Sequence, residues 1–512
     1  MPISPFAAEN LTAKYMLQIR RQVMEQANDT LRDELQQCED FYIGGEATLQ
    51  DKYFQKQMRE TDEEYLARKR KPREVNICQR VVRAIADSVY GGEVQRHIRK
   101  RGAKDTSKRE DARLDELMQL SGYDLCIRES CASASIYGTH LLGPFYHPVN
   151  RRVQFRTRHP SFVYPIQDPT EAQELLGLWV EYPATLPDGD AYTKAEAYSP
   201  TEIGFFYTED TSNAGAWKLL PPGECGPGVT ENPMVNPYGV IPFQRFRGEI
   251  DPDNGRWWGL SDIRDIIEAN HFINTLFSIM DKNAHDQGWS QLVLVNFPDD
   301  VTKIAVGTLK AIRTGEGGDA KFIVPDLKVQ EFLTLIEKIY TLALNGKSIP
   351  QAAVRTFSEP KSGVSLELSL RPLIDLAKNR RRYWMREESE LLKMALLVRE
   401  HHESGRIFTP DKAAEFMATW DVDVAWVEDL MPHDLDKEIA RDLELMNAGL
   451  KDPKDLVKKY NTLSGIDPEA KMKEIVKNLS LMRQALGLDA QGKPVKETPD
   501  GGRERGSRAD RG

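Results

Sequence analysis

The spacing of apolar and polar positions divides the chain into stretches of different period. From Leu11 to about Cys38, and again from Val75 to about Val89, apolar residues recur three and four apart. Val75, Cys78, Val81, Val82, Ile85 and Val89 fall on one stripe, as in a helix with one buried face. A third helical stretch runs from Arg109 to Ile136. At Tyr137-Gly138 the texture changes to short β-type runs, HLLGPFY, VQFRTRH, SFVYPI, LGLWVEY and EIGFFYTE. Turn signals at His147-Pro148, Pro187-Asp188-Gly189 and Ser212-Asn213 separate them, and the β-rich module ends near Phe246.

Helical periodicity returns at Gly259. Ile263, Ile266, Ile267, Ile273, Leu276, Phe277 and Met280 share a face, Ser261-Asp262 supplies a capping start, and the helix reaches about Asp286. SQLVLVNF then reads as a strand, DDVTKIAVGTLKAI as a short helix, and RTGEGGDAKFIVPD as a glycine-rich turn into a second strand. Val329, Phe332, Leu333, Ile336, Tyr340 and Ala343 mark the next helix, with Asn345-Gly346 as its C-terminal cap. A loop follows. From Val364 to about His402 the pattern is one very long helix interrupted by Pro372, which lacks a backbone donor, so a kink is expected near Leu368. DVDVAWV alternates like a strand, helices are expected over 434–448 and 468–486, and the chain from Asp489 onward has the composition of a disordered tail.

Composition narrows the class. At 512 residues the chain predicts three or four modules; 40% hydrophobic and 29% charged residues suit a soluble protein, and no apolar run approaches the roughly 18 residues of a membrane span. MPISPFAAENLTAKY has no basic-then-apolar leader, which predicts cytoplasmic synthesis. Five scattered cysteines without a CxxC pair predict reduced thiols. A formal net charge of -10 argues against a broad basic footprint for nucleic acid.

The motifs that imitate catalytic chemistry are incomplete. Asn345-Gly346-Lys347-Ser348 resembles the end of a phosphate-binding loop, but the first glycine would fall at Thr341 and the segment follows a helix. His401-His402-Glu403 lacks the two-histidine spacing of a zinc helix and reads as a solvated helix end. Asp421, Asp423, Glu428 and Asp429 read as a polar strand face rather than a two-metal cluster, and Asp251-Pro252-Asp253-Asn254-Gly255 as a plain turn. The basic runs at Arg68 to Arg73, Arg96 to Lys104, and Arg380 to Arg382 with Arg386 read as solvated faces, with contact to phosphate or a partner as the alternative. Neither a metal site nor a cofactor is expected.

Several phrases in fixed order resemble the phage portal protein family. IPFQRFRGE followed by WWGLSDIRDIIEANHFINTLFSIMDKN is similar to that family's approach to its first stem helix, and SQLVLVNF to the strand that opens the clip. Ser362-Gly363-Val364-Ser365-Leu366 resembles the Ser-Gly-Val-Ala-Leu that follows the tunnel loop, and WDVDVAWVEDLMPHDLDKEIARDLELMNAGLKDP resembles the approach to the crown. Pro372 and Arg380-Arg381-Arg382 stand where members more often carry Gly or Lys.

The resemblance implies an α+β portal architecture: a wing over 1–258 (helices 1–136, β-rich module 137–258), stem helices over 259–289 and 328–346, a clip over 290–327, and a tunnel loop over 347–363. A long kinked helix over 364–408, a crown over 409–488 and a tail over 489–512 complete it. It further implies a non-enzymatic homo-oligomer, a dodecamer in the virion, with double-stranded DNA passing through its channel. The implied partners are the large terminase, a head-tail adaptor, and the major capsid and scaffold proteins, with no membrane. Ile349, Pro350, Gln351, Arg355, Phe357 and Lys361 are the expected tunnel-loop contacts to DNA. Asp299, Asp300, Lys303, Lys310, Arg313, Glu316, Asp319 and Lys321 are the expected docking residues of the clip. The rival classes are a terminase, which needs a phosphate loop or nuclease carboxylates, and a scaffold or adaptor, which leaves this order of elements unexplained.

Overall fold

The computed structural model describes residues 12–45, 49, 52–58, 60–69, 74–102, 108–168, 174–185, 191–209, 217–226, 229–250, 257–287, 291–295, 319–323, 329–354, 363–426, 441–442, 444–446, 473 and 476–477. The chain divides into two units, Met1–Leu430 and Met431–Gly512. In the second unit the described residues, from the two segments read as helices, are helical. The fold of the first unit mixes helix and strand, as expected for an α+β protein.

Helix α1, Ala13–Ile43, starts at Thr12, whose hydroxyl accepts the Tyr15 N–H. Its first turn buries Ala13 and Met16 with Trp179 and Phe206, while Cys38 and Phe41 at its far end enter the main core. Gly204 makes room for that first turn, since a Cβ there would lie 2.6 Å from the Ala13 Cβ. After α2, Asp62–Lys69, comes α3, Ile77–Tyr90, capped by Asn76. Its predicted stripe is the buried one: Cys78, Val81, Val82, Ile85 and Val89 are all in the core. Strand β1 is Val94–Lys100. The stretch read as one helix from Arg109 to Ile136 is two, α4 (Lys108–Ser121) and α5 (Tyr123–Tyr137), because Gly122 between them adopts φ +65°.

The β-rich module contains two antiparallel sheets. One has the order β10-β2-β3, from Gln244–Arg247, Thr139–His147 and Arg152–Arg158. The other runs β4 (Val163–Gln167), β5 (Leu175–Thr185), β6 (Ala191–Tyr198), β7 (Glu202–Thr208) and β8 (Lys218–Leu219), with β9 (Met234–Val235) also on β7. Strand β6 was not read from the sequence. AYTKAEAY fills its inner positions with alanine, a residue depleted from strands, although Ala195 and Ala197 are buried beneath Trp179.

Helix α6, Arg264–Gln287, leads to strand β11, Gln291–Val295, which pairs antiparallel with β12, Asp319–Ile323. The chain returns through α7, Val329–Gly346, makes the short α8, Gln351–Val354, and continues as α9, Gly363–Ser404. Helix α9 continues as helix on both sides of Pro372, which has no N–H to donate; Leu373, Ile374 and Ala377, in the turn that follows, are buried. After α10, Pro410–Thr419, strand β13, Trp420–Trp426, pairs with β1, setting Val94 opposite Trp426 and Lys100 opposite Trp420. Within the stretch 409–488, Val422 and Val424 enter the main core, and the segment through Leu430 belongs to the first unit.

The basic runs also need correction, since they contain buried cations. Arg68 pairs with Glu60 at 2.7 Å, Arg96 with Glu388 at 2.5 Å and with Asp124 at 2.7 Å, and Arg380 with Asp262 at 2.7 Å. Arg381 donates to the Val89 and Ser88 carbonyls, capping the end of α3. Buried guanidinium groups persist only when paired and hydrogen-bonded, and here they tie α9 to α3, β1 and the start of α6.

Candidate functional site

A cluster of polar contacts lies where α5, β10, α6, α7 and α9 meet. Gly138 ends α5 at φ +76°, and Gly259 approaches so closely that a Cβ on either would lie 2.4 Å from the other's carbonyl oxygen. The Gly248 N–H donates to the Gly138 carbonyl at 2.8 Å, and Glu249 and Leu260 exchange both backbone hydrogen bonds. GLSD, residues 259–262, is thereby laid across the end of α5. The Ser135 carbonyl accepts from the Asp262 N–H at 3.0 Å and from the Ser261 hydroxyl at 3.3 Å. Ser261 accepts the Ile263 N–H, but Asp262 is no helix cap: it receives Arg380 Nη2 on both oxygens, at 2.7 and 2.8 Å. Arg380 Nη1 donates to the Ser135 hydroxyl at 2.8 Å. Burial alone would lower the guanidinium's pKa, but Asp262, Tyr383 and Cys131 together outweigh it and the net shift is upward.

The turn after α7 carries the second part. The N–H of Ile349 donates to the Leu344 carbonyl and that of Ser348 to Asn345, a Schellman arrangement whose hydrophobic partners, Leu344 and Ile349, are both fully buried. The left-handed position is held by Ser348, φ +57°, rather than by Gly346 as the cap reading expected. Lys347 reaches Glu249 and Asp265, each at 3.0 Å. Burial works against its charge, but hydrogen bonds to both carboxylates prevail and raise its pKa. Lys347 is thereby engaged by two carboxylates, and the segment Asn345 to Ser348 lies at the end of a helix rather than in a strand-to-helix phosphate loop. Around this junction opens a cleft of about 660 Å³, lined among others by Lys347, Ser348, Pro372, Arg380 and Tyr383.

A ladder on α6 forms the third part. Asn270, Asn274, Ser278 and Lys282, four residues apart, lie on one side of the helix. Asn270 Oδ1 accepts the Ile77 N–H at 2.6 Å, Asn274 Oδ1 accepts the Val75 N–H at 2.9 Å, Arg68 donates to the Ser278 hydroxyl at 3.3 Å, and Lys282 pairs with Glu64 at 3.1 Å. The N-terminal segment thus runs antiparallel along more than three turns of α6.

The expected site residues separate into three groups. Ile349 is a core residue, so its assignment to a DNA-facing loop is corrected: it is the buried anchor of the Schellman turn. Pro350 is half-buried and Gln351 begins α8, donating to the Thr341 hydroxyl. Arg355, Phe357 and Lys361 lie outside the described residues, as do Asp299, Asp300, Lys303, Lys310, Arg313 and Glu316. Asp319 and Lys321 are exposed on β12 and pair with each other at 2.8 Å. Pro372 is exposed within α9.

His402 stacks on Tyr146 with ring centroids 4.0 Å apart and contacts the Tyr238 hydroxyl at 3.1 Å, while Glu403 pairs with Arg399 and Arg113. Among the described residues no group of three or more His, Cys, Asp or Glu gathers to hold a metal, and no helix is long and apolar enough to cross a membrane. Asp262, Ser135, Lys347 and the α6 ladder were missed as site residues. The junction opposes fixed charges in pairs, and its effect is mechanical: it fixes both ends of the α6–α7 hairpin and the start of the following loop against α9.

No curated protein matches the chain. Residues 22–480 match the family model described as "Phage portal protein, SPP1 Gp6-like", a span that includes every element of this junction. The chain therefore belongs to the family of SPP1 Gp6-like phage portal proteins.

Proposed function

We propose that the chain assembles into a ring, a dodecamer, at one vertex of the capsid, and that this ring is the channel through which double-stranded DNA is packaged and later ejected. The observation that carries this reading is the order of elements within the family match: an α6–α7 hairpin tipped by the β11–β12 ribbon, then a core-anchored turn and the long α9. In this reading α6 and α7 are the stem, 290–327 the clip, and 347–363 the tunnel loop. The N-terminal helices, the β-rich module and α9 form the wing, and the crown follows Leu430. The clip docks the large terminase and then the head-tail adaptor, and the wing meets capsid and scaffold proteins. Members of this family are structural components of the phage virion, not enzymes.

The charge of the chain supports a passage rather than a grip. DNA bears one charge per about 1.7 Å of duplex, so a broad basic lining would hold it against sliding. A formal charge of -10 per chain instead repels phosphate at long range. Negative-stain micrographs and the native mass of the purified protein test the proposal: rings with an axial hole are expected, and uniform monomers at micromolar concentration would contradict it.

A further inference from the structure

The α6–α7 hairpin carries exposed apolar residues on both of its helices. On α6, Phe272 is 48% exposed. On α7, Leu335 and Leu342, seven residues apart and so on one side of the helix, are 42% and 71% exposed. The inward sides are different residues, Ile273 and Leu276 on α6 and Ile336 and Leu344 on α7, all buried. The Asp265–Lys347 ion pair fixes the register of the two helices at their base. At 1.5 Å per residue Phe272 stands about 10 Å along α6, between the heights of Leu342 and Lys338, roughly 7 and 13 Å back along α7.

The charges one turn before Phe272 and before Leu342 are of opposite sign, although Glu331 stands one turn before Leu335. Glu268, one turn before Phe272, and Lys338, one turn before Leu342, are both exposed, and neither makes an ion pair with another described residue. Two dissimilar patches on two helices, complementary in charge and level in height, suit a heterologous contact. Such a contact joins copies head to tail and closes into a ring when the rotation permits.

We propose that Phe272 of one copy packs on Leu342 and the stem of Lys338 of the next copy, and that this contact joins neighbouring stems. The proposal rests on the ring reading above and specifies the contact. Leu342→Glu should abolish the ring peak in native mass measurements while leaving the circular dichroism spectrum of the chain unchanged, and adding Phe272→Lys to it should restore rings by pairing the new charges. As an independent measurement, a chain carrying both Phe272→Cys and Leu342→Cys, treated with a short thiol crosslinker, should give a ladder of oligomers on a denaturing gel. Each single cysteine variant and the unaltered chain should not. Rings from unaltered protein together with intact rings from Leu342→Glu, or with no ladder from the double cysteine chain, refute this contact alone. A covalent dimer from Leu342→Cys by itself refutes it too, because it indicates a two-fold contact. Unaltered protein that forms no rings refutes both this contact and the portal reading.

Discussion

Asp262 and Arg380 make the largest claim of any residue pair on the stability of the junction, since removing one partner leaves the other charge buried. Asp262→Ala should cost about 3–5 kcal/mol in denaturant unfolding, whereas Asp262→Leu combined with Arg380→Met should cost much less than the sum of the single changes. The burial of Arg380 was legible in phase rather than in charge: it falls on the same helical stripe as Leu373, Ala377, Trp384 and Leu391, all buried. Arg96 likewise alternates in phase with the buried Ile98. Their acidic partners are far away in sequence, and no local pattern names them. Ser348 is a smaller case: Ser348→Gly should relieve the left-handed conformation and raise stability by about 0.5–1 kcal/mol, after glycine's extra chain entropy is set against it. Two buried groups set opposite pH slopes. Burial pushes the Glu387 carboxyl up to about 7, with Arg247 at 3.2 Å opposing only in part. The folded state then keeps this proton while the unfolded state has lost it, so stability falls as pH rises from about 4.5 to about 7. Burial lowers His140 to about 3, so the unfolded state takes up its proton first and stability falls as pH drops from about 6.5 toward 3. Glu387→Gln should flatten the first slope and His140→Leu the second, read from unfolding midpoints across pH.

At the scale of elements, the ladder on α6 makes the N-terminal segment and the hairpin helix one rigid piece. Asn270→Ala strands the fully buried Ile77 N–H and should cost about 1–3 kcal/mol; Asn274→Ala, facing the half-buried Val75, should cost less. Amide exchange at Ile77 should accelerate in the first variant by more than global destabilisation alone explains. The helices themselves were legible, because α3 and α6 carry clean apolar stripes and α7 is apolar enough to read as helix, although its Leu333, Leu335 and Leu342 are exposed. A polar residue every fourth position on α6 looks like a solvated side, however, and the backbone that it binds lies about two hundred residues earlier. Elsewhere, single residues decided what periodicity could not. Gly122 divides one apparent helix into two, and alanines conceal β6. DVDVAWV was legible as a strand, but its partner β1 was not, since pairing depends on which edges the fold leaves open.

At the scale of the whole molecule the proposed tunnel loop joins the chain's chemistry to its proposed task. The loop leaves the core at Ile349, whose buried side chain and Schellman hydrogen bonds hold its first residues, with Lys347 tied to Glu249 and Asp265. It ends at Gly363, where α9 begins. Arg355 and Lys361 fall between these fixed points, outside the described residues, so their role rests on position in the chain and on the family's order of parts. In the proposed dodecamer, twelve copies would set two rings of cations around the DNA, against a formal net charge of -10 per chain. Each such contact with a phosphate would be individually weak and screened over about 8–10 Å at physiological salt, so a collar of this kind would touch DNA without stopping it. Changing Arg355 and Lys361 together to Glu should leave ring mass and thermal midpoint unaltered, because neither belongs to the anchoring turn. It should shorten the packaged genome or weaken its retention, more so at low salt, where repulsion from phosphate is least screened. Packaged length and retention equal to those of the unaltered protein across a range of salt would show that these charges do not meet the DNA, and would leave the anchoring turn as a structural feature only.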